Sequence, residues 1–135
     1  MRFILALAAA AAIAGPVAAA PRQAPTMVVQ FAWDSDALDA AGRARLDRAV
    51  EAHRKDPSLQ IVVAGHAGPD ENTPEYAVGL SQRRANTVRE YLAGRGVPPR
   101  LLITQAFGQR RPAAEATDPA AHRRVEVIIG GDSGW

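Results

Sequence analysis

Ile61-Val62-Val63-Ala64-Gly65-His66-Ala67, followed by Leu80-Ser81-Gln82-Arg83-Arg84-Ala85, decides the fold of this chain. The first half is a short, wholly apolar run that ends in a Gly-His turn. Such a run reads as a strand buried on both faces or at the centre of a sheet. A glycine at a strand end lets the backbone come close to a ligand. The second half lies in a helix and presents two arginines one turn in. An arginine facing the strand end offers a planar fork suited to a carboxylate. The pattern predicts a small anion or zwitterion site at the end of a strand, beside a helix.

Working outward, Met27 to Trp33 reads as a first strand rich in β-branched and aromatic residues. Asp34-Ser35-Asp36 is turn chemistry. Asp39 is placed to cap a helix running to about Lys55, with Leu46, Ala49, Val50 and His53 on its apolar face. Asp56-Pro57 stops it. Thr73-Pro74-Glu75 combines an N-cap, a proline at the first helical position and an acid in the first turn. That helix should continue through Tyr91-Leu92 and end at Gly94 or Gly96, with Leu80, Val88, Tyr91 and Leu92 facing the sheet. Leu101 to Phe107 is a third strand and Val125 to Ile129 a fourth. The proline- and alanine-rich connection between them has room for one helical turn.

The order β-α-β-α-β-loop-β predicts an α/β (α+β) domain in two layers. A parallel core should carry both helices on one face, and the fourth strand can run antiparallel, which makes a mixed four-stranded sheet.

The chain has 135 residues, enough for one domain. Residues 1–19 read as a secretory signal peptide. Arg2 precedes an apolar run too short to span a bilayer, and small residues end at Ala19. Residues 20–26 form a flexible leader, 27–130 the domain, and 131–135 a disordered tail. The chain lacks cysteine, so no disulfide framework is available and no lipid anchor on an N-terminal cysteine is expected. The mature chain is expected to be soluble in the periplasm without a transmembrane segment. A net charge of +2 does not argue for nucleic acid. The arginines fall in two clusters, Arg83 to Arg100 and Arg110 to Arg124, which would form a basic face if they met in space.

Catalysis and metal binding find no support. The three histidines, His53, His66 and His122, lack metal-ligand spacing. Ser81 has no nucleophile context. No enzyme activity and no cofactor are expected. His66 is expected to orient its loop by hydrogen bonding.

Phe31 to Leu38, Ile61 to His66, Thr73-Pro74-Glu75-Tyr76, Leu80 to Ala85 with Val88, Phe107-Gly108-Gln109 and Arg123-Arg124-Val125-Glu126 together resemble the OmpA-like peptidoglycan-binding domain family, across residues 27–130. This family includes the peptidoglycan-associated lipoproteins and the flagellar stator protein MotB. The resemblance implies noncovalent binding of peptidoglycan through the diaminopimelate of its stem peptide. In that family an aspartate after the Gly-His turn takes the ligand's ammonium, and an arginine of the Leu-Ser helix takes its carboxylate. Arg84 stands at that arginine position.

The aspartate position holds Gly68, and the loop to Tyr76 is about one residue longer than usual. Asp70 can swing into the same place because Gly68-Pro69 redirects the backbone; Glu71 is a weaker substitute. Ala77 and His122 also stand where the family commonly has asparagine. The expected binding residues are therefore Arg84, Asp70, His66, Ala67, Gly68 and Arg124. Arg124 either contacts the ligand or braces the loop. The alternative is a degenerate domain that has lost peptidoglycan and serves as an interaction module among envelope proteins.

Overall fold

The computed structural model describes residues 26–113 and 118–130. The signal peptide, most of the leader and the tail expected from the sequence lie outside the described residues. Strand β1 (Thr26–Gln30) leads to helix α1 (Ala40–Lys55), β2 (Ile61–Gly65), α2 (Pro74–Gly94), β3 (Leu102–Ala106) and β4 (Arg124–Ile129). Two single 3-10 turns, Pro99–Leu101 and Pro119–His122, precede the last two strands.

Both helices begin where the sequence signals them. The Asp39 carboxylate accepts from the Gly42 N–H at 2.7 Å. The Thr73 hydroxyl accepts from the Tyr76 N–H at 3.2 Å, with Pro74 opening the helix. These caps satisfy donors that have no partner inside the helix.

The sheet order is β1-β4-β2-β3. β4 lies antiparallel to both β1 and β2, and only β2 and β3 run parallel. The mixed sheet agrees with the expectation, but the parallel core shrinks to one pair. The last connection carries no long helix, so nothing returns the chain to the start of the sheet. β4 instead enters between β1 and β2 from the opposite end.

Alternation along the strands sorts the two faces. Val29, Ile61, Val63, Val125, Val127 and Ile129 join Leu46, Val50, Val88 and Leu92 in one buried cluster between sheet and helices. Tyr91 is only partly buried against this core and donates its hydroxyl to Asp47 of α1 at 2.7 Å. The arginine clusters do not merge into a basic face. Arg84 and Arg124 are buried, and Arg83, Arg95 and Arg123 pair with Asp36, Asp47 and Asp70. No helix among the described residues is long and apolar enough to cross a membrane.

Candidate functional site

Gly65 explains how the site is assembled. A Cβ built there would lie 2.0 Å from the Ser81 carbonyl oxygen, so the end of β2 rests directly on the backbone of α2. Only glycine permits that approach. Ser81 locks the junction: its hydroxyl donates to Val78 O at 2.8 Å and accepts from the Gly108 N–H at 3.0 Å. One turn on, Arg84 is carried under two loops, residues 32–36 after β1 and residues 66–72 after β2.

Arg84 is fully buried, and all five of its N–H donors are occupied. Nε donates to Ser35 O at 2.8 Å. Nη1 donates to His66 O at 3.0 Å and Glu71 Oε1 at 2.8 Å. Nη2 donates to Ala32 O at 3.1 Å and Glu71 Oε2 at 2.5 Å. The guanidinium also lies 5.5 Å from the Phe31 ring centroid.

The Glu71 carboxylate, equally buried, further accepts from Gly68 N at 2.7 Å and Asp34 N at 2.7 Å. Burial by itself would raise its pKa. The Arg84 guanidinium and the two backbone N–H groups outweigh that and hold the carboxyl below its ordinary value. Two non-glycine residues with positive φ, Asp34 at 51° and Asn72 at 65°, let the loops turn around this pair.

Glu71, the weaker substitute in the sequence reading, is thus the acid that meets Arg84. Asp70 goes elsewhere. Its Oδ2 lies 3.6 Å from Arg123 Nη1, and its side chain is 43% exposed at the mouth between the loops. A Cβ at Gly68 would sit 2.6 Å from Asp70 Oδ1. The Asp70 carboxylate therefore fills the space into which an aspartate at position 68 would project.

Trp33, half exposed, donates its indole N–H to Asp70 O at 3.3 Å. Across the mouth, the Tyr76 hydroxyl donates to Asp34, and Arg83 lies over the Tyr76 ring. Ala67 and Gly68 are buried and supply backbone: Ala67 N donates to Gly108 O at 2.8 Å, and Gly68 O accepts from Gln109 Nε2 at 3.1 Å.

His66 and Arg124 point to the face of the sheet away from the helices. His66 hydrogen-bonds into the loop through its backbone and not through its ring. Neither ring nitrogen has a hydrogen-bond partner among the described residues. The ring stacks on Phe107 with centroids 5.3 Å apart, and the backbone does the orienting: His66 N donates to Arg124 O at 2.9 Å. Arg124 donates to Glu126 at 2.9 Å and to Arg111 O at 3.1 Å, so it braces the connection before β4. These groups border a groove of about 500 Å³ on that face.

His66 first, 3.8 Å away, and then Arg124 hold Glu126 at a pKa of about 2, against the upward push of partial burial. The free carboxyl value is 4.5. Between these values an unfolded chain binds a proton that the native state does not, so stability falls as pH falls. Because the side chain is 30% exposed, the discounted loss by pH 3 is about 1 kcal/mol. Urea unfolding at pH 7 and pH 3 should show this loss in the wild type and a shallower pH dependence in Glu126→Gln.

This mixed sheet, with two helices on one face and a buried arginine clasping two loops, is the architecture that the sequence resemblance implies. The model of the OmpA family matches residues 30–126, and the chain belongs to that family. It is 36% identical over 104 residues to a peptidoglycan-associated lipoprotein of Rhizobium meliloti, covering 75% of this chain and 58% of the relative. It is 34% identical over 110 residues to one of Legionella pneumophila, covering 78% and 62%. The chain thus spans about six tenths of the length of these relatives. Among solved structures, it is similar to the OmpA-like domain of FopA1 from Francisella tularensis, with a TM-score of 0.70 at 25% identity over 76% of this chain and 69% of the other. It is also similar to the peptidoglycan-associated lipoprotein of Burkholderia pseudomallei, with a TM-score of 0.69 at 27% identity over 76% and 88%.

Sequence reasoning missed two features of the mouth. Arg123 was read only as part of the run leading into β4, and Trp33 only as an aromatic position. No local signal marks either, because both reach Asp70 from loops distant in sequence.

Proposed function

We propose that this chain binds peptidoglycan noncovalently on the periplasmic side of a bacterial envelope. Its target is the diaminopimelate of the stem peptide, held at the mouth between residues 32–36 and 66–72. One observation carries the reading. The exposed Asp70 carboxylate occupies the space of a side chain at position 68, where the family resemblance puts the acid that receives the ligand's ammonium. The one-residue extension of the loop thus supplies from position 70 what glycine removes at 68. Arg84 and Glu71 hold the two loops at the right separation from beneath.

The relatives named peptidoglycan-associated lipoproteins support a binding role rather than a catalytic one. They give the degenerate-module alternative no support.

The test is co-sedimentation of the purified protein with isolated diaminopimelate-type sacculi. Wild-type protein should pellet. Asp70→Asn removes a charge-assisted bond from a half-exposed position and should weaken retention tenfold to a hundredfold without loss of fold. Wild-type protein that stays in the supernatant, under conditions where an authentic peptidoglycan-associated lipoprotein pellets, would refute the proposal.

A further inference from the structure

We infer that the groove on the open face of the sheet is a second ligand site, which takes a neutral N-acetylated amino sugar through Glu126 and Arg111. The inference goes beyond the stem-peptide reading and does not depend on it.

Strand register builds the floor. Glu126 of β4 lies opposite Val28 of β1 and Ala64 of β2, so its carboxylate has an apolar side chain on each side. All three point away from the helices. His66 and Phe107 line the groove beside them, and Arg111-Pro112-Ala113 line it from the connection before β4. Arg124 ties that wall to the sheet by donating to Arg111 O at 3.1 Å, and Ala113 N donates to His122 Nδ1 at 3.0 Å. At about 500 Å³, the groove has the size of a small-ligand site.

Its polar groups are incompletely matched. Both nitrogens of the His66 ring, 2% exposed, have no hydrogen-bond partner among the described residues. A buried imidazole in that state calls for a ligand group that donates and accepts. Glu126 gives Oε1 to Arg124 at 2.9 Å, while its Oε2 stands 3.8 Å from His66 Nε2, beyond a formed hydrogen bond. Arg111 is exposed, lies 4.0 Å from the Phe107 ring centroid and has no carboxylate partner among the described residues.

These groups select against other ligand classes. An anion would meet the Glu126 carboxylate, whose pKa is held at about 2. A cation would lie beside Arg111 and Arg124. A hydrocarbon chain would bury the imidazole and the carboxylate without partners. A neutral acetamide answers each feature: its N–H donates to Glu126, its carbonyl accepts from Arg111 and its methyl rests on Val28 and Ala64. The ring hydroxyls of the sugar donate and accept, as His66 requires.

The groove and the mouth lie back to back at one end of the sheet. Arg123 pairs with Asp70 at the mouth, and the next residue, Arg124, turns to the groove. A glycan strand of N-acetylated sugars and the peptide it carries can therefore occupy the two sites together.

The experiment titrates isotopically labelled protein with chitotetraose, a chain of N-acetylglucosamine, and in parallel with cellotetraose, which has the same linkage and no acetamide. Amide NMR shifts are read for wild type, Arg111→Ala, Glu126→Gln and Asp70→Asn, and the same spectra report fold. Chitotetraose should give saturable shifts at His66, Arg111 and Glu126 and bind at least about tenfold more tightly than cellotetraose. Arg111→Ala and Glu126→Gln should each weaken it about tenfold to a hundredfold. Asp70→Asn should bind it as wild type does.

No saturable shift with chitotetraose would overturn the inference, and so would equal binding of the two sugars or shifts confined to Trp33 and Asp70 at the mouth. Unchanged affinity in folded Arg111→Ala and Glu126→Gln would overturn it as well. The comparison of the two sugars needs no variant, so the inference stays open to refutation even if a variant does not fold. Stem-peptide binding is decided separately, by sacculi and Asp70→Asn, so the two readings fail independently.

Discussion

Arg84→Ala should lower the unfolding free energy by about 3–5 kcal/mol, measured by urea denaturation at pH 7. The substitution strands the fully buried Glu71 carboxylate with only its two backbone donors, Gly68 N and Asp34 N. It also takes donors from the carbonyls of Ala32, Ser35 and His66. Glu71→Ala should cost a similar amount, because it leaves the guanidinium buried and unpaired. The double variant Arg84→Met/Glu71→Leu should recover part of the loss: a buried ion pair replaced by apolar side chains is often neutral. Recovery stays partial because the three loop carbonyls still lack donors. A cost below about 1 kcal/mol for Arg84→Ala would mean that the pair is not the brace described here. The consequence for binding is direct. An Arg84→Ala variant that fails to bind peptidoglycan reports a loosened pair of loops, whereas Asp70 and Arg123 can be changed with the brace intact.

The second large effect falls on Gly65, where alanine should cost about 3 kcal/mol or more in the same measurement, at the upper end for overpacking. The added methyl would lie 2.0 Å from Ser81 O and 2.9 Å from Ser81 C, which are helix backbone and cannot rotate away. Nor can the strand retreat. Gly65 is paired with Val125 of β4 and Ala106 of β3, and its carbonyl accepts from Phe107 N at 3.0 Å. Relief requires α2 to lift from the sheet, which opens the Arg84 brace as well. Gly94→Ala is the control: a Cβ there meets nothing within 4 Å, and the exchange should be neutral or slightly stabilising. A Gly65→Ala protein as stable as wild type would refute the close approach of β2 and α2.

The helices were the most legible elements. Asp39 and Thr73 cap them through contacts three residues away, and the apolar spacing of Leu46, Ala49, Val50 and His53 describes a face that the structure buries. The central strand was legible because residues 61–65 are buried throughout. The parallel pairing was overextended. Strand order depends on where β4 inserts, and its hydrophobic alternation is the same whichever neighbour it chooses.

The site was legible as a place and not as a set of bonds. Gly65, Arg84 and the acidic loop were marked, and they do come together. The choice between Asp70 and Glu71 as partner of Arg84 was not readable. It depends on Asn72 adopting a positive φ and on Asp34 N reaching across 37 residues to Glu71. His66 was expected to orient the loop by hydrogen bonding; its backbone makes those bonds, while strand alternation sends its ring to the opposite face, against Phe107.

By itself, the sequence determined the two capped helices, the buried central strand and the family of the fold. These rest on contacts within a few residues or on periodicity, which a linear chain displays. The tertiary structure decided that Arg84 is consumed internally by Glu71 and that Asp70 is presented outward to Arg123. An arginine has five donors, and which carbonyls and carboxylates take them is settled only when loops far apart in sequence close over it.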